Sequence, residues 1–132
     1  MILKFPYVLL KDRFYPIIPV GLIRGKETVR TEALMDSGAN ISIFNGEFCR
    51  ELGLKLESGE KKTFQGIGGK IRGYIHTIQL NVNEHMFSCK VAFSDEMITG
   101  LNIIGREDFF NKFIVTFDDV KKELELKTRS QI

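Results

Sequence analysis

The sequence predicts an all-β protein, a closed or folded-over antiparallel β barrel carrying two short helices. Apolar residues alternate with period two over several short stretches, most cleanly at Phe87, Cys89, Val91 and Phe93. Turn residues rich in glycine separate these stretches, and only two brief windows have helical spacing. No strand–helix–strand repeat, internal duplication or low-complexity stretch is present. Short antiparallel strands without covering helices must hide their edges against one another, which closes the sheet.

In chain order, residues 15–22 form a strand with Ile18, Val20 and Leu22 on one face, and Arg24-Gly25-Lys26 supplies a hairpin turn. Residues 29–35 return as the second strand and deliver Asp36 at its end. Ile41-Ser42-Ile43-Phe44 is a further short apolar piece. Asn45 reads as a helix N-cap, Glu47 lies in the first turn, and Gly53 closes the helix at C′. Phe48, Cys49 and Leu52 make its buried stripe. Residues 61–64 and 70–74 flank Gln65-Gly66-Ile67-Gly68-Gly69, two extended arms around a glycine-rich tip. The second arm continues through residues 75–82, where the apolar phase changes between Ile75 and Ile78. That change predicts either a bulge or a strand covered on both faces. Residues 81–84 turn the chain into the alternating strand that begins at Phe87. Residues 101–104 form a buried strand ending at Gly105. Glu107 and Asp108 open a second helix, with Phe109, Phe110 and Phe113 inside and Lys112 near its end. Residues 114–117, the Asp118-Asp119 turn, Leu124 and Leu126 make a closing hairpin, and residues 127–132 are expected to fray. The total is roughly eight to ten strands.

Composition narrows the function classes. With 132 residues, 43% of them hydrophobic and 27% charged, the chain suits one soluble globular domain over residues 1–132. A net charge of +2 argues against nucleic acid or an anionic membrane as partner. The apolar N-terminus is broken by Lys4 and Pro6, and no run approaches the ~18 residues of a membrane span, so a cytoplasmic protein is expected. In that compartment Cys49 and Cys89 are expected as buried free thiols rather than a disulfide. His76 and His85 have no ligand-like neighbours and are expected to be solvated, so no metal and no cofactor is implied. Lys61-Lys62 and Lys121-Lys122 read as solvated turns.

Chemistry concentrates at Ala33-Leu34-Met35-Asp36-Ser37-Gly38-Ala39-Asn40, where an apolar run leads into a lone carboxylate on an Asp-Ser-Gly turn. By itself that tripeptide is a common surface turn. Downstream, in order, follow the glycine-tipped hairpin and a second apolar-to-glycine strand, Leu101-Asn102-Ile103-Ile104-Gly105-Arg106. The hairpin tip is no phosphate loop, because Ile71 rather than Ser or Thr follows Lys70 and the glycine spacing fits neither nucleotide motif.

Asp-Ser-Gly-Ala with a distant Ile-Ile-Gly-Arg resembles the retropepsin family, the single-lobed aspartic proteases, and the resemblance implies a domain core at about residues 15–126. The helix ending in Glu51-Leu52-Gly53-Leu54 looks more like cellular or prokaryotic members than the compact retroviral enzymes. The resemblance implies a homodimeric aspartic endopeptidase acting on a peptide or protein substrate. Asp36 is then the catalytic residue, meeting its counterpart across a twofold axis, because no other Asp here precedes Ser-Gly or Thr-Gly. Ser37, Gly38 and Ala39 support the active-site turn. Gly38, Asn40, Gln65, Gly66, Ile67, Gly68, Leu101 and Ile103 contact substrate, with residues 66–69 as the flap tip. Gly105 packs under the turn, and Arg106 braces the dimer region. Ile104 is expected in the core. Asn40 stands where retroviral members carry the Asp that pairs with this Arg; it can still hydrogen-bond to Arg106 but cannot form the ion pair, so a weaker or differently wired dimer is expected. Ala39 offers no hydroxyl to the ionised carboxylate, which places the activity optimum at about pH 5–6. Either residues 1–8 or residues 124–132 are open as the source of interface strands. Two alternatives remain: a weak or inactive retropepsin-like module that dimerises and binds peptides, and an unrelated monomeric β-barrel ligand binder.

Overall fold

The computed structural model describes residues 1–66, 69–97 and 99–129. Twelve strands occur among them: Ile2–Pro6 (β1), Val8–Leu10 (β2), Arg13–Tyr15 (β3), Ile17–Arg24 (β4), Glu27–Met35 (β5), Ser42–Asn45 (β6), Glu60–Gly66 (β7), Gly69–Val82 (β8), His85–Ser94 (β9), Asn102–Ile104 (β10), Phe113–Asp118 (β11) and Glu123–Thr128 (β12). One α-helix, Gly46–Glu51 (α1), and a 3-10 turn at Leu56–Ser58 are the helical pieces.

The main sheet has the order β4-β5-β10-β6-β9-β8-β7, and a further pairing of β4 with β8 closes its first six strands into a ring. The predicted folded-over barrel is therefore present. Most pairings are antiparallel, but β10 runs parallel to β5 and β6 parallel to β9, an arrangement that alternation alone does not reveal. Residues 23–28 confirm the first hairpin, with Arg24 opposite Glu27.

Alternation sets what each strand buries. Ile18, Val20 and Leu22 face inward with Ile78, Leu80 and Val82, and Phe44 and Phe93 fill the centre. A second aromatic group forms where Phe109 meets Phe113 at 5.0 Å and Phe87 at 5.9 Å between ring centroids. Each fully buried side chain of this size contributes about 1.5–3 kcal/mol through lost contact with water.

The first helix forms as its caps dictate: the Asn45 side chain accepts from Glu47 N at 2.9 Å, and Gly53 takes the positive φ of +79° just past the end. A second helix at 107–113 does not form. Asp108 adopts φ 65°, outside helical space, and its carboxylate accepts from Lys90 N at 2.9 Å. That tertiary bond breaks the segment into separate turns, although Phe109 and Phe113 are buried as expected.

Several further expectations are corrected. His76 is buried at 9% exposure, its Nε2 3.0 Å from the Leu56 carbonyl, because it occupies an inward position of β8 in step with Ile78. His85 is half-buried with its ring edge on Phe113. The register of β8 with β9 runs unbroken from Tyr74 to Val82, so no bulge interrupts it; His76 is simply the polar member of the inner row. Lys61 and Lys62 are exposed but sit in β7, whereas Lys121 and Lys122 do stand in a turn. Residues 127–129 are tied down: β12 extends to Thr128, whose N–H donates to Met1 O at 3.0 Å, and Arg129 N donates to Lys112 O.

Both chain ends join one three-stranded sheet of order β1-β12-β11, with Leu3 over Leu126 and Phe5 over Leu124. Beside it β2 and β3 form a small hairpin that presents Leu9 and Phe14 to solvent. No helix among the described residues is long and apolar enough to cross a membrane.

Candidate active site

Strand β5 carries the lone carboxylate to the edge of the barrel. Ala33 and Met35 point into the core, and hydrogen bonding on both flanks holds the strand to its last residue. On one side Met35 N donates to Pro16 O at 2.8 Å; on the other Asp36 N donates to Ile104 O at 2.9 Å. The ladder stops at Asp36, which leaves its side chain half-buried at the rim.

The turn is then locked from within and from below. Gly38 N donates to Asp36 Oδ1 at 2.9 Å, and Ala39 N donates to Asp36 O at 3.2 Å. One carboxylate oxygen is thereby oriented by the turn, leaving Oδ2 without a partner among the described residues. Arg106 N donates to Ala39 O and Glu107 N to Asn40 O, while the Arg106 guanidinium donates to Asn40 Oδ1. The expected Asn40–Arg106 bond is thus present as a neutral–cation hydrogen bond within one chain. Gly105 N donates to the buried Ser42 hydroxyl at 3.0 Å, and a Cβ at Gly105 would lie 2.5 Å from Ile41 C and O. Only glycine allows the two segments to approach so closely.

Parallel pairing of β5 with β10 brings the two signature segments together, Leu34 opposite Ile103 and Met35 opposite Ile104. Ile104 is fully buried, as expected; Ile103 is half-buried between Leu34 and Ile43. Leu101 lies half-buried beside a shallow groove with Arg30, Thr31 and Glu32. Ser37, Gly38 and Asn40 are exposed, and Ala39 is half-buried. Gln65 and Gly66 stand at the far end of the β7–β8 hairpin, paired with Lys70 and Gly69. Ile67 and Gly68 lie outside the described residues.

Two residues that hold the site escaped the sequence reading. Asn102 is 4% exposed; its amide nitrogen donates to Thr31 Oγ1 and Glu32 O, and its oxygen accepts from Asn45 N, tying β5, β6 and β10 together. Ser42 braces Gly105. Their only sequence signal was a polar residue inside an otherwise apolar run. Among the described residues no group of three His, Cys, Asp or Glu side chains is arranged to hold a metal ion.

A half-exposed carboxylate on a glycine turn, braced by an apolar-Gly strand in a closed β barrel, defines an acid-protease lobe. The family described as aspartyl protease matches residues 20–107, and the chain belongs to this retropepsin-like family. It is similar to the DNA damage-inducible protein 1 of Yarrowia lipolytica, with 30% identity over 82 residues that cover 57% of this chain and 21% of that protein. The protein of the same description from Kluyveromyces lactis is 32% identical over 81 residues, covering 57% of this chain and 20% of its own length. The chain thus matches about a fifth of the length of these curated relatives.

Proposed function

We propose that the protein is a homodimeric aspartic endopeptidase in which Asp36 from each of two copies flanks one water. The observation that carries this reading is the Asp36 turn itself: a single carboxylate, fixed through Oδ1 by Gly38 N–H and presented at the barrel rim. Peptide hydrolysis needs one carboxylate to take a proton from water and a protonated partner to donate to the carbonyl oxygen. One Asp36 cannot do both at once. Two such groups about 3 Å apart share a proton, because like charges that close do not both ionise, and the pair then supplies both roles. A twofold axis through the turn delivers this arrangement from one sequence.

In this reading the water attacks the scissile carbonyl carbon, one Asp36 accepts its proton and the other protonates the oxygen; the first then passes its proton to the amide nitrogen as the C–N bond breaks and the gem-diol collapses to the acid and the amine. Ser37 hydrogen-bonds across the axis. Gly38 and Asn40 meet the peptide backbone, Leu101 and Ile103 face its side chains, and Arg106 steadies the turn through Asn40. The β7–β8 hairpin acts as a flap, with Gln65 and residues 66–68 toward substrate; closure excludes water and strengthens every polar contact inside. Residues 1–132 act as one domain, the substrate is an extended peptide or unfolded protein segment, and two free buried thiols suit a cytoplasmic setting.

The test is cleavage of a peptide library across pH with Asp36→Asn as control. Cleavage by the wild type with a mildly acidic optimum, abolished in Asp36→Asn while circular dichroism is unchanged, supports the reading. Cleavage that survives the substitution refutes it. A wild-type dimer that binds peptides without cutting them supports the inactive peptide-binding module instead.

A further inference from the structure

Two consecutive acidic residues follow β9, and arginines from different elements engage them. Arg50 of α1 donates to the Asp95 carboxylate, which lies so close over Gly46 that a Cβ there would collide with Asp95 Oδ1. Glu96 turns the other way, toward β8. Its Oε1 accepts the backbone N–H of Arg72 at 2.9 Å, and its Oε2 accepts Arg72 Nε at 3.0 Å. The Ser94 hydroxyl donates to the Arg72 carbonyl and accepts from Glu96 N at 3.1 Å.

These bonds replace a missing strand. The register between β8 and β9 ends at Tyr74 opposite Phe93, yet Arg72 still directs its N–H and C=O to the side that β9 has left. Backbone groups at a sheet edge need partners, and here two side chains supply both. Among the described residues Arg72 is the last residue of β8 held on that side; outward from it the arm pairs only with β7.

We propose that Glu96, seconded by Ser94, fixes the hinge of the β7–β8 flap at Arg72 and so acts as a positioning residue for substrate binding. The consequence for catalysis rests on the protease reading; the hinge itself does not. The side chains of Arg72 and Glu96 are 61% and 39% exposed, so their charge attraction is screened by solvent and contributes little. The carboxylate oxygen on the backbone N–H carries the effect. Glu96→Gln keeps that acceptor, whereas Glu96→Ala removes it.

Amide hydrogen exchange on the full chain tests the hinge. In Glu96→Ala the Arg72 amide is expected to exchange about tenfold faster or more, with amides 76–82 unchanged, while Glu96→Gln stays within about threefold of wild type. Unchanged exchange at Arg72 in Glu96→Ala, or an equal rise through 76–82, overturns the proposal. Where peptide cleavage is measurable, Glu96→Ala is expected to raise KM about fivefold with kcat within about twofold, rescued by Glu96→Gln, because a loosened flap weakens ground state and transition state alike. An unchanged KM overturns the positioning role. If the wild type cleaves nothing while the exchange pattern appears, the protease reading falls and the hinge stands.

Discussion

Gly105 and Asn102 set the tolerances of the site. A methyl group at Gly105 meets the Ile41 backbone rather than a movable side chain, so Gly105→Ala is expected to cost about 1–3 kcal/mol in a denaturant titration, and to lower any cleavage by displacing the Asp36 turn. Asn102→Ala strands the Asn45 amide and two acceptors on β5, a loss of about 2–3 kcal/mol in the same measurement. Burial makes the two thiols inert: it pushes Cys89 up to about 12 and Cys49 up to about 11. Both are therefore expected to resist alkylation at pH 8 in the native chain and to react fully once it is unfolded; rapid native labelling would contradict this. At this scale Asp36, Ser37 and Gly38 were legible because the turn is contiguous. Asn102 and Ser42 were not, since their partners lie 57 to 71 residues away in sequence.

Among the elements, α1 was readable from its ends, since a cap and a C′ glycine act within a few residues. The segment after Arg106 misled for the opposite reason. Its local signals favour a helix, but Asp108 instead accepts from Lys90 N of β9, and one residue at positive φ is enough to stop helix propagation. The Glu96 hinge has a defined pH window. The Arg72 backbone N–H first, and the Arg72 side chain second, hold the Glu96 carboxyl below its usual range, opposed by partial desolvation and, more weakly, by the neighbouring Asp95. A carboxyl with a depressed folded value contributes stability above its unfolded value, about 4.3, and loses it as pH falls through the folded one. The Arg72 amide is thus expected to stay fully protected at pH 5–6 (about the window proposed for cleavage) and, in stronger acid, to lose no more than the roughly threefold allowed for Glu96→Gln, because a protonated carboxyl still offers its carbonyl oxygen. Exchange measured against pH checks the order.

For the whole molecule, closure comes from β4 pairing with β8, and the chain ends are secured by β1 against β12. Because β1 already pairs within its own chain, it offers a partner only its outer edge. The dimer that the mechanism requires has a signature that one-copy chemistry lacks. Mixing wild type with an equal amount of Asp36→Asn and letting subunits exchange is expected to lower activity per wild-type chain by roughly half, because mixed pairs carry one carboxylate. Activity per chain should also fall on dilution. Additive activity at every mixing ratio would mean that each copy acts alone.

The class of fold, the first helix, and the position of the carboxylate turn with its downstream glycine strand are all written in the order of residues along the chain. Each of these rests on patterns confined to a few neighbouring residues. Tertiary structure alone decided that β5 and β10 lie parallel, that His76 turns inward, that Asp108 breaks a helix, and that Glu96 completes the edge of β8. Those outcomes depend on bonds between residues far apart along the chain, whose competition with local preference is settled only when the barrel closes.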